Sequence, residues 1–327
     1  MKYFLRKTLW LLFAITIALL INFILPRLMP GDPALVVVSQ LEGADPDALD
    51  AIRTAFGMEM DRNIILQFFD YVRNIFRGEL GLSISHFPAP VWRVLSRALP
   101  WTIGLVGIAT VISFVLGTLL GITIAWRRES KLSDVIISIF LFIRSFPFFW
   151  LALILVYFFA FENAWFPLGG GRDVAVRAED TWEFIRSVAY HGFLPGLTIA
   201  VSSLGYWLLT IRNNMINVLA EDYITVARAK GLSDSRIKYN YAARNAILPS
   251  VSGIAMALGF VVGGSLITEI VFSYPGVGFM LYEAVQQRDY PLLQAIFLFI
   301  TIGVLFANFF ADIAILALDP RVRDGDS

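Results

Sequence analysis

The sequence predicts an all-α membrane protein with six transmembrane helices and both termini in the cytoplasm. Three observations lead there. Of 327 residues, 57% are hydrophobic and only 16% are charged, against about 25% charge in an ordinary soluble domain, and the mean hydropathy is +0.70. Six runs reach the ~20 mostly apolar residues that a spanning helix needs: 8–28, 101–126, 133–161, 193–211, 252–272 and 292–318. Lys and Arg are unevenly placed around those runs. With the N-terminus inside, segments 1–7, 127–134, 212–251 and 319–327 hold 14 Lys/Arg and 8 Asp/Glu, whereas the outside segments hold 11 and 17. That is the positive-inside bias, and an even number of spans returns both termini to one side.

The first run follows Lys2, Arg6 and Lys7. It is longer than a signal-peptide core and offers no small-residue cleavage site, so it reads as a retained anchor. Residues 29–100 then form an outside segment. Asp45 before Pro46 suits an N-cap with Pro at the first helical position, opening a short helix to about Phe56. In 63–76, Ile65, Phe68, Phe69, Val72, Ile75 and Phe76 share one helical face. Such a helix lies on the membrane or on neighbouring spans. It caps the bundle or docks an extracellular partner, and both roles are compatible.

The second run opens at Trp101. The third contains Arg144 and Pro147, and Pro147 predicts a kink. Residues 162–192 read as a loop with Gly169-Gly170-Gly171 and one short helix near 181–188. Residues 212–251 are too few for a domain. There, 223–230 suits a helix ending at Gly231, Ser233 suits the cap of a second helix over 234–247, and Pro249 suits its end. This elbow is basic and partly apolar, with Arg228, Lys230, Arg236, Lys238 and Arg244. It reads as a positive-inside loop, or more sharply as a rigid corner presenting a short helix to a cytoplasmic partner.

Several chemistries are excluded. The formal net charge is zero, which removes nucleic-acid binding by bulk charge. There is no cysteine, hence no disulfide, thiolate chemistry or Cys-based metal site. The two histidines, His86 and His191, lie far apart and read as surface or interface residues, not metal ligands. No G-x-x-x-x-G-K-[ST] phosphate loop and no Ser/His/Asp constellation occurs, so neither ATP binding by that route nor catalysis is expected of this chain.

Charges at membrane depth are costly and are usually paired or functional. Arg144 and Asp312 stand at such depth, and a mutual pair is one reading. Glu269, near the outer end of the fifth run, either caps the following Ser-Tyr-Pro-Gly turn or lines an outer mouth. Gly117 with Gly121, and Gly259 with Gly263, are G-x-x-x-G pairs. They suit close helix packing within the chain or against a second membrane chain.

The stretch Asp222-Tyr-Ile-Thr-Val-Ala-Arg-Ala-Lys-Gly-Leu-Ser233, followed by Ala243-Arg-Asn-Ala-Ile-Leu-Pro249, resembles the cytoplasmic "EAA" loop of ABC importer permeases. Where the common loop has Glu-Ala-Ala, three residues and Gly, this chain has Thr225, Val226, Ala227 and Gly231, so only Ala227 and Gly231 agree. That departure, and the longer gap to the closing Leu-Pro, resemble the oligopeptide/dipeptide branch. Other segments resemble the same branch in order: Arg27-Leu-Met-Pro-Gly-Asp32-Pro33, Gly78-Glu-Leu-Gly-Leu-Ser83, Leu99-Pro-Trp-Thr102, Thr268-Glu-Ile-Val-Phe272, Tyr274-Pro-Gly-Val-Gly278, Arg288-Asp-Tyr-Pro291 and Asp319-Pro-Arg-Val-Arg323. The specificity lies in their order and in the side of the membrane on which each falls.

The resemblance implies a multi-pass inner-membrane permease, a single transmembrane domain over 1–327 that is not itself an enzyme. It implies a second, homologous permease around one pathway and an extracellular substrate-binding protein. It also implies one or two kinds of ATPase subunit, which would carry ATP and Mg2+. Tyr223, Ala227, Arg228, Lys230, Gly231, Leu232 and Ser233 become candidates for ATPase coupling. Arg144, Glu269 and Asp312 become pathway or structural candidates, and Asp32, Phe68, Phe69 and Trp165 candidates for docking outside. Members of the branch move peptides, nickel chelates or oligosaccharides. Trp101, Trp126, Trp150, Trp165 and Trp207 leave a sugar substrate open beside a peptide, although Trp also populates interfacial belts. A secondary transporter or channel is the reading from a different class, and the scarcity of mid-membrane charge opposes it.

Overall fold

A computed structural model describes residues 2–28, 63–177, 179 and 181–318. The expected short helix near 45–56, Asp32 and the Asp319 motif lie outside the described residues. Among the described residues the secondary structure is helical, apart from one isolated antiparallel bridge between Leu82 and Pro90. The long elements are α1 (Lys2–Leu28), α2 (Ile64–Arg77), α3 (Val91–Trp126) and α4 (Lys131–Ser145). α5 (Phe148–Leu155) continues into π-helical Val156–Glu162, and α6 (Thr181–Leu219) follows. The elbow contains α7 (Asp222–Ala229), α8 (Asp234–Arg236) and π-helical Ile237–Ala243. After it come α9 (Arg244–Phe260), the 3-10 turn Val261–Gly263, α10 (Leu266–Val271), α11 (Val277–Gln286) and α12 (Tyr290–Leu318).

Four helices among the described residues are long and apolar enough to cross a membrane, through windows at Phe4–Leu25, Val91–Trp126, Thr181–Leu219 and Tyr290–Phe310. A fifth would be the pair Lys131–Ser145 and Phe148–Glu162, which is bent by 97°. The bend falls at Pro147, which lacks the amide hydrogen that a continuing helix needs and whose ring crowds the preceding turn. Run 252–272 is not one helix. α9 stops at Phe260, and Gly264 takes a left-handed φ of 72° before α10 begins. Hydropathy is blind to that break, because both sides of it are apolar.

Two other expectations are corrected. The short helix near 181–188 and run 193–211 are one 39-residue helix, α6, which runs through Pro195. Pro249 does not close the second elbow helix, because α9 passes through it. Proline within a helix costs about 3 kcal/mol in water. Membrane helices tolerate it where neighbours re-satisfy the freed carbonyl. Here Ala246 and Ser250 are buried on either side of Pro249 and hold the helix in place.

α3 and α6 run side by side in the same direction. Leu105 packs with Leu194 at one end, while Ile122 and Ala125 pack with Ile211 and Met215 at the other. A Cβ on Gly117 would come within 2.6 Å of the Trp207 Cβ, and one on Gly121 within 2.7 Å of the Leu208 carbonyl. A Cβ on Gly259 would overlap Ala307 of α12. Both G-x-x-x-G pairs therefore serve packing within this chain, where contact distance decides helix association in lipid.

α1 is the most peripheral long helix. It meets α12 through Asn22 and Gln294, each side-chain amide donating to the other residue's carbonyl at 3.1 Å. α2 begins at Asn63, whose side chain accepts from the Ile65 amide, and ends at Gly78 with φ 76°. It packs on α1 through Phe68 and Tyr71 against Phe23.

Candidate functional site

The elbow is built by local sequence rules. α7 opens with Asp222 and closes near Arg228, charges that suit the two ends of the helix dipole. Its ending is a Schellman motif. The Gly231 amide donates to the Arg228 carbonyl at 2.9 Å, and the Leu232 amide to the Ala227 carbonyl at 3.3 Å. Gly231 carries φ 72°, a conformation that costs an L-residue about 1–2 kcal/mol. No other atom lies within 4 Å of where its Cβ would stand, so the requirement is conformational and not steric. Ser233 starts α8 through its backbone, and its hydroxyl makes no capping bond, which corrects that expectation.

Ile224 and Ala227 point inward onto Ile122, Ala125, Ile211, Met215, Ile237 and Ala246, the cluster at this end of α3, α6 and α9. Leu232 packs against the same cluster. Tyr223 and Val226 stay 39% and 51% exposed, and Arg228, Lys230, Gly231 and Ser233 are exposed. The elbow is thus anchored on one side and offers a short apolar ridge flanked by cations on the other. Among the described residues, no group of three or more metal-ligating side chains occurs.

At the opposite end, the resemblance motifs touch one another. Glu269 is fully buried. Its carboxylate accepts from the Thr102 hydroxyl at 3.0 Å and from the Gly278 and Phe279 amides at 2.7 and 3.2 Å. The Thr102 oxygen in turn accepts from the Val277 amide at 2.7 Å. Glu269 therefore caps α11, where anions are favoured. A Cβ on Gly276 would overlap this carboxylate. Nearby, Trp101 meets Tyr274 edge to face at 5.8 Å. Burial, and then the Glu269 charge, pushes the Tyr274 phenol up to about 12.

A second cluster forms around Asp289, also fully buried. It accepts from the Ser83 hydroxyl, from the Ser85 amide at 3.0 Å and hydroxyl at 2.7 Å, and from the Leu292 amide at 3.1 Å. It caps α12 and ties segment 81–90 to it. Sequence reading missed Asp289 and Thr102 as individual residues. Asp289 carries an N-cap signal, since Pro291 stands two residues on in the first turn.

The remaining candidates are scattered. Asp312 pairs with Lys7 at 2.6 Å, not with Arg144, which is exposed at the end of α4. The reason is topological: α12 packs along α1. Phe68 is half-buried on Phe23, while Phe69 is 64% and Trp165 60% exposed. The Trp165 carbonyl accepts from the Tyr190 hydroxyl at 2.7 Å.

Comparisons with known proteins place the chain in a family. Residues 117–324 match the family described as the binding-protein-dependent transport system inner membrane component, and residues 1–106 match its N-terminal companion. The chain is 31% identical to a putative peptide transport system permease protein of Brucella abortus, over 94% of each chain. It is 31% identical to a di/tripeptide transport system permease protein of Pseudomonas aeruginosa, over 93% of each. It is 30% identical to a glutathione transport system permease protein of Escherichia coli, over 99% of each. A solved MetNI methionine ABC transporter chain aligns with TM-score 0.52 at 18% identity, covering 69% of this chain and 96% of that one, a likeness of fold. The chain belongs to the binding-protein-dependent transport system inner membrane component family.

Proposed function

We propose that this chain is a permease subunit of an ABC importer that forms, with a second homologous permease, the pathway for peptides. The observation that carries the reading is its end-to-end similarity to permeases named for peptide, di/tripeptide and glutathione transport. Those names favour peptides over oligosaccharides. An extracellular binding protein delivers the peptide, and separate ATPase subunits supply ATP and Mg2+.

In this reading the chain crosses the membrane six times with both termini in the cytoplasm. The bent pair α4–α5 and the broken α9–α10 serve as the third and fifth crossings. The elbow then faces the cytoplasm. Tyr223, Val226 and the cations Arg228 and Lys230 seat α7 on an ATPase subunit, and the buried side chains Ile224 and Ala227 pass its movement to α3, α6 and α9. The Glu269 and Asp289 clusters lie outside and keep that end of the bundle rigid.

Calorimetry on the cognate binding protein tests the substrate. It is titrated with a di- and tripeptide pool and with an oligosaccharide pool. Heat of binding from the peptide pool alone is expected. Heat from the oligosaccharide pool alone would overturn the peptide reading.

A further inference from the structure

Asn245 sits where three elements meet. It is the second residue of α9, directly after π-helical Ile237–Ala243. Its side-chain nitrogen donates to the Tyr223 hydroxyl at 3.0 Å and to the Tyr241 carbonyl at 2.8 Å. A carbonyl only accepts, so the group facing it is the amide nitrogen, and both of its hydrogens are engaged. Tyr223 lies in the first turn of α7, and Tyr241 lies inside the π-helical stretch. Segments of π-helix are rare and are found disproportionately at functional sites.

α7 is eight residues long and buries two side chains, Ile224 and Ala227. These two anchors lie on one face, and with Leu232 beyond the turn they hold that face down without holding the opposite one. Tyr223 lies four residues before Ala227, at the margin of that face, so a bond to its hydroxyl holds that margin as well. The next residue after Asn245, Ala246, is buried, and its carbonyl accepts from the Asn214 side chain of α6 at 3.1 Å. One amide thus joins the elbow helix to α9 beside the point where α9 is tied to α6.

We propose that Asn245 is a positioning residue for energy coupling: by holding Tyr223 and the Tyr241 carbonyl together, it makes α7 and α9 move as one body. This rests on the reading of the elbow as the ATPase contact. Tyr223 and Asn245 are both exposed, and an exposed hydrogen bond adds little net stability. Loss of coupling without loss of folding is therefore its signature.

The test uses Asn245→Leu, which keeps the size and removes the donors, Tyr223→Phe, and the double variant. All are assembled with their partner subunits in liposomes. The chain has no cysteine, so A229C gives a unique thiol at the exposed end of α7. Peptide taken up from a di- and tripeptide pool is measured per ATP hydrolysed. Motion of a spin label at A229C is measured on the same proteins, and thiol cross-linking to the ATPase subunit on the chain that carries A229C alone.

The expected result is a several-fold lower peptide-to-ATP ratio and a more mobile label in each single variant. The double variant should be no worse than either, because all three break one bond. An unchanged ratio or an unchanged label in N245L overturns the proposal, as do additive losses. If the A229C elbow never cross-links to an ATPase subunit, the underlying reading fails and takes the proposal with it. If the unsubstituted importer takes up nothing from the pool, the peptide reading fails, and label mobility decides the Asn245 proposal alone.

Discussion

Replacing Gly231 isolates the conformational demand of the elbow from its contacts. The residue carries φ 72° at the Schellman turn that ends α7. The Cβ of a valine there meets no neighbour within 4 Å. Its cost is the left-handed backbone, about 1–2 kcal/mol for an L-residue and more for a stiff β-branched side chain. Such a change lowers the ratio of native to alternative corner roughly 5–30-fold. Ile224, Ala227 and Leu232 still prefer their buried places, so the chain should insert normally while α7 loses its fixed exit angle. The assay is the peptide-to-ATP ratio of the assembled importer, normalised to the amount of chain in the membrane. G231V should lower that ratio several-fold, and G231N should keep most of it, because Asn tolerates the left-handed region. A wild-type ratio for G231V would refute the reasoning. Equal damage from G231N would point to side-chain size instead of φ.

Three further outcomes are expected from the packing and the caps. Thr102→Val should lower the unfolding temperature of the purified chain more than Thr102→Ser. It removes the hydroxyl between Glu269 and the Val277 amide, both buried, at about 1–3 kcal/mol for each group left without a partner. Gly259→Leu should weaken the α9–α12 contact, where even a methyl group overlaps Ala307; less folded chain is then recovered from detergent extracts, while the same substitution at Gly104 of α3, where an added Cβ meets nothing within 4 Å, costs less. Asp289→Ala should free segment 81–90 from α12, which limited trypsinolysis reads as faster cleavage at Arg77 or Arg93 with the rest of the digest unchanged.

How much of this was legible in the sequence depended on how local each cause is. The amphipathic helix 63–76 was readable, because its apolar periodicity acts within a few residues; the Asn63 cap and the Gly78 end, equally local, went unread. Gly231 was readable for the same reason. The break at Gly264 was hidden inside an apolar run, since hydropathy carries no φ. Pro249 misled, because its local cost is outweighed by packing at Ala246 and Ser250. The Lys7–Asp312 pair joins residues 305 positions apart, and no local pattern announces it. The Glu269 and Asp289 clusters lie between these cases. Their residues stand in recognisable motifs, but only the fold shows that the motifs are one another's hydrogen-bond partners.

The most direct measurement is accumulation of a defined tripeptide in liposomes carrying the assembled importer and its binding protein, with and without ATP. Accumulation that requires ATP and disappears when this permease is omitted is the expected result. Accumulation that persists without ATP would place the chain among secondary transporters or channels and contradict the coupling role of the elbow.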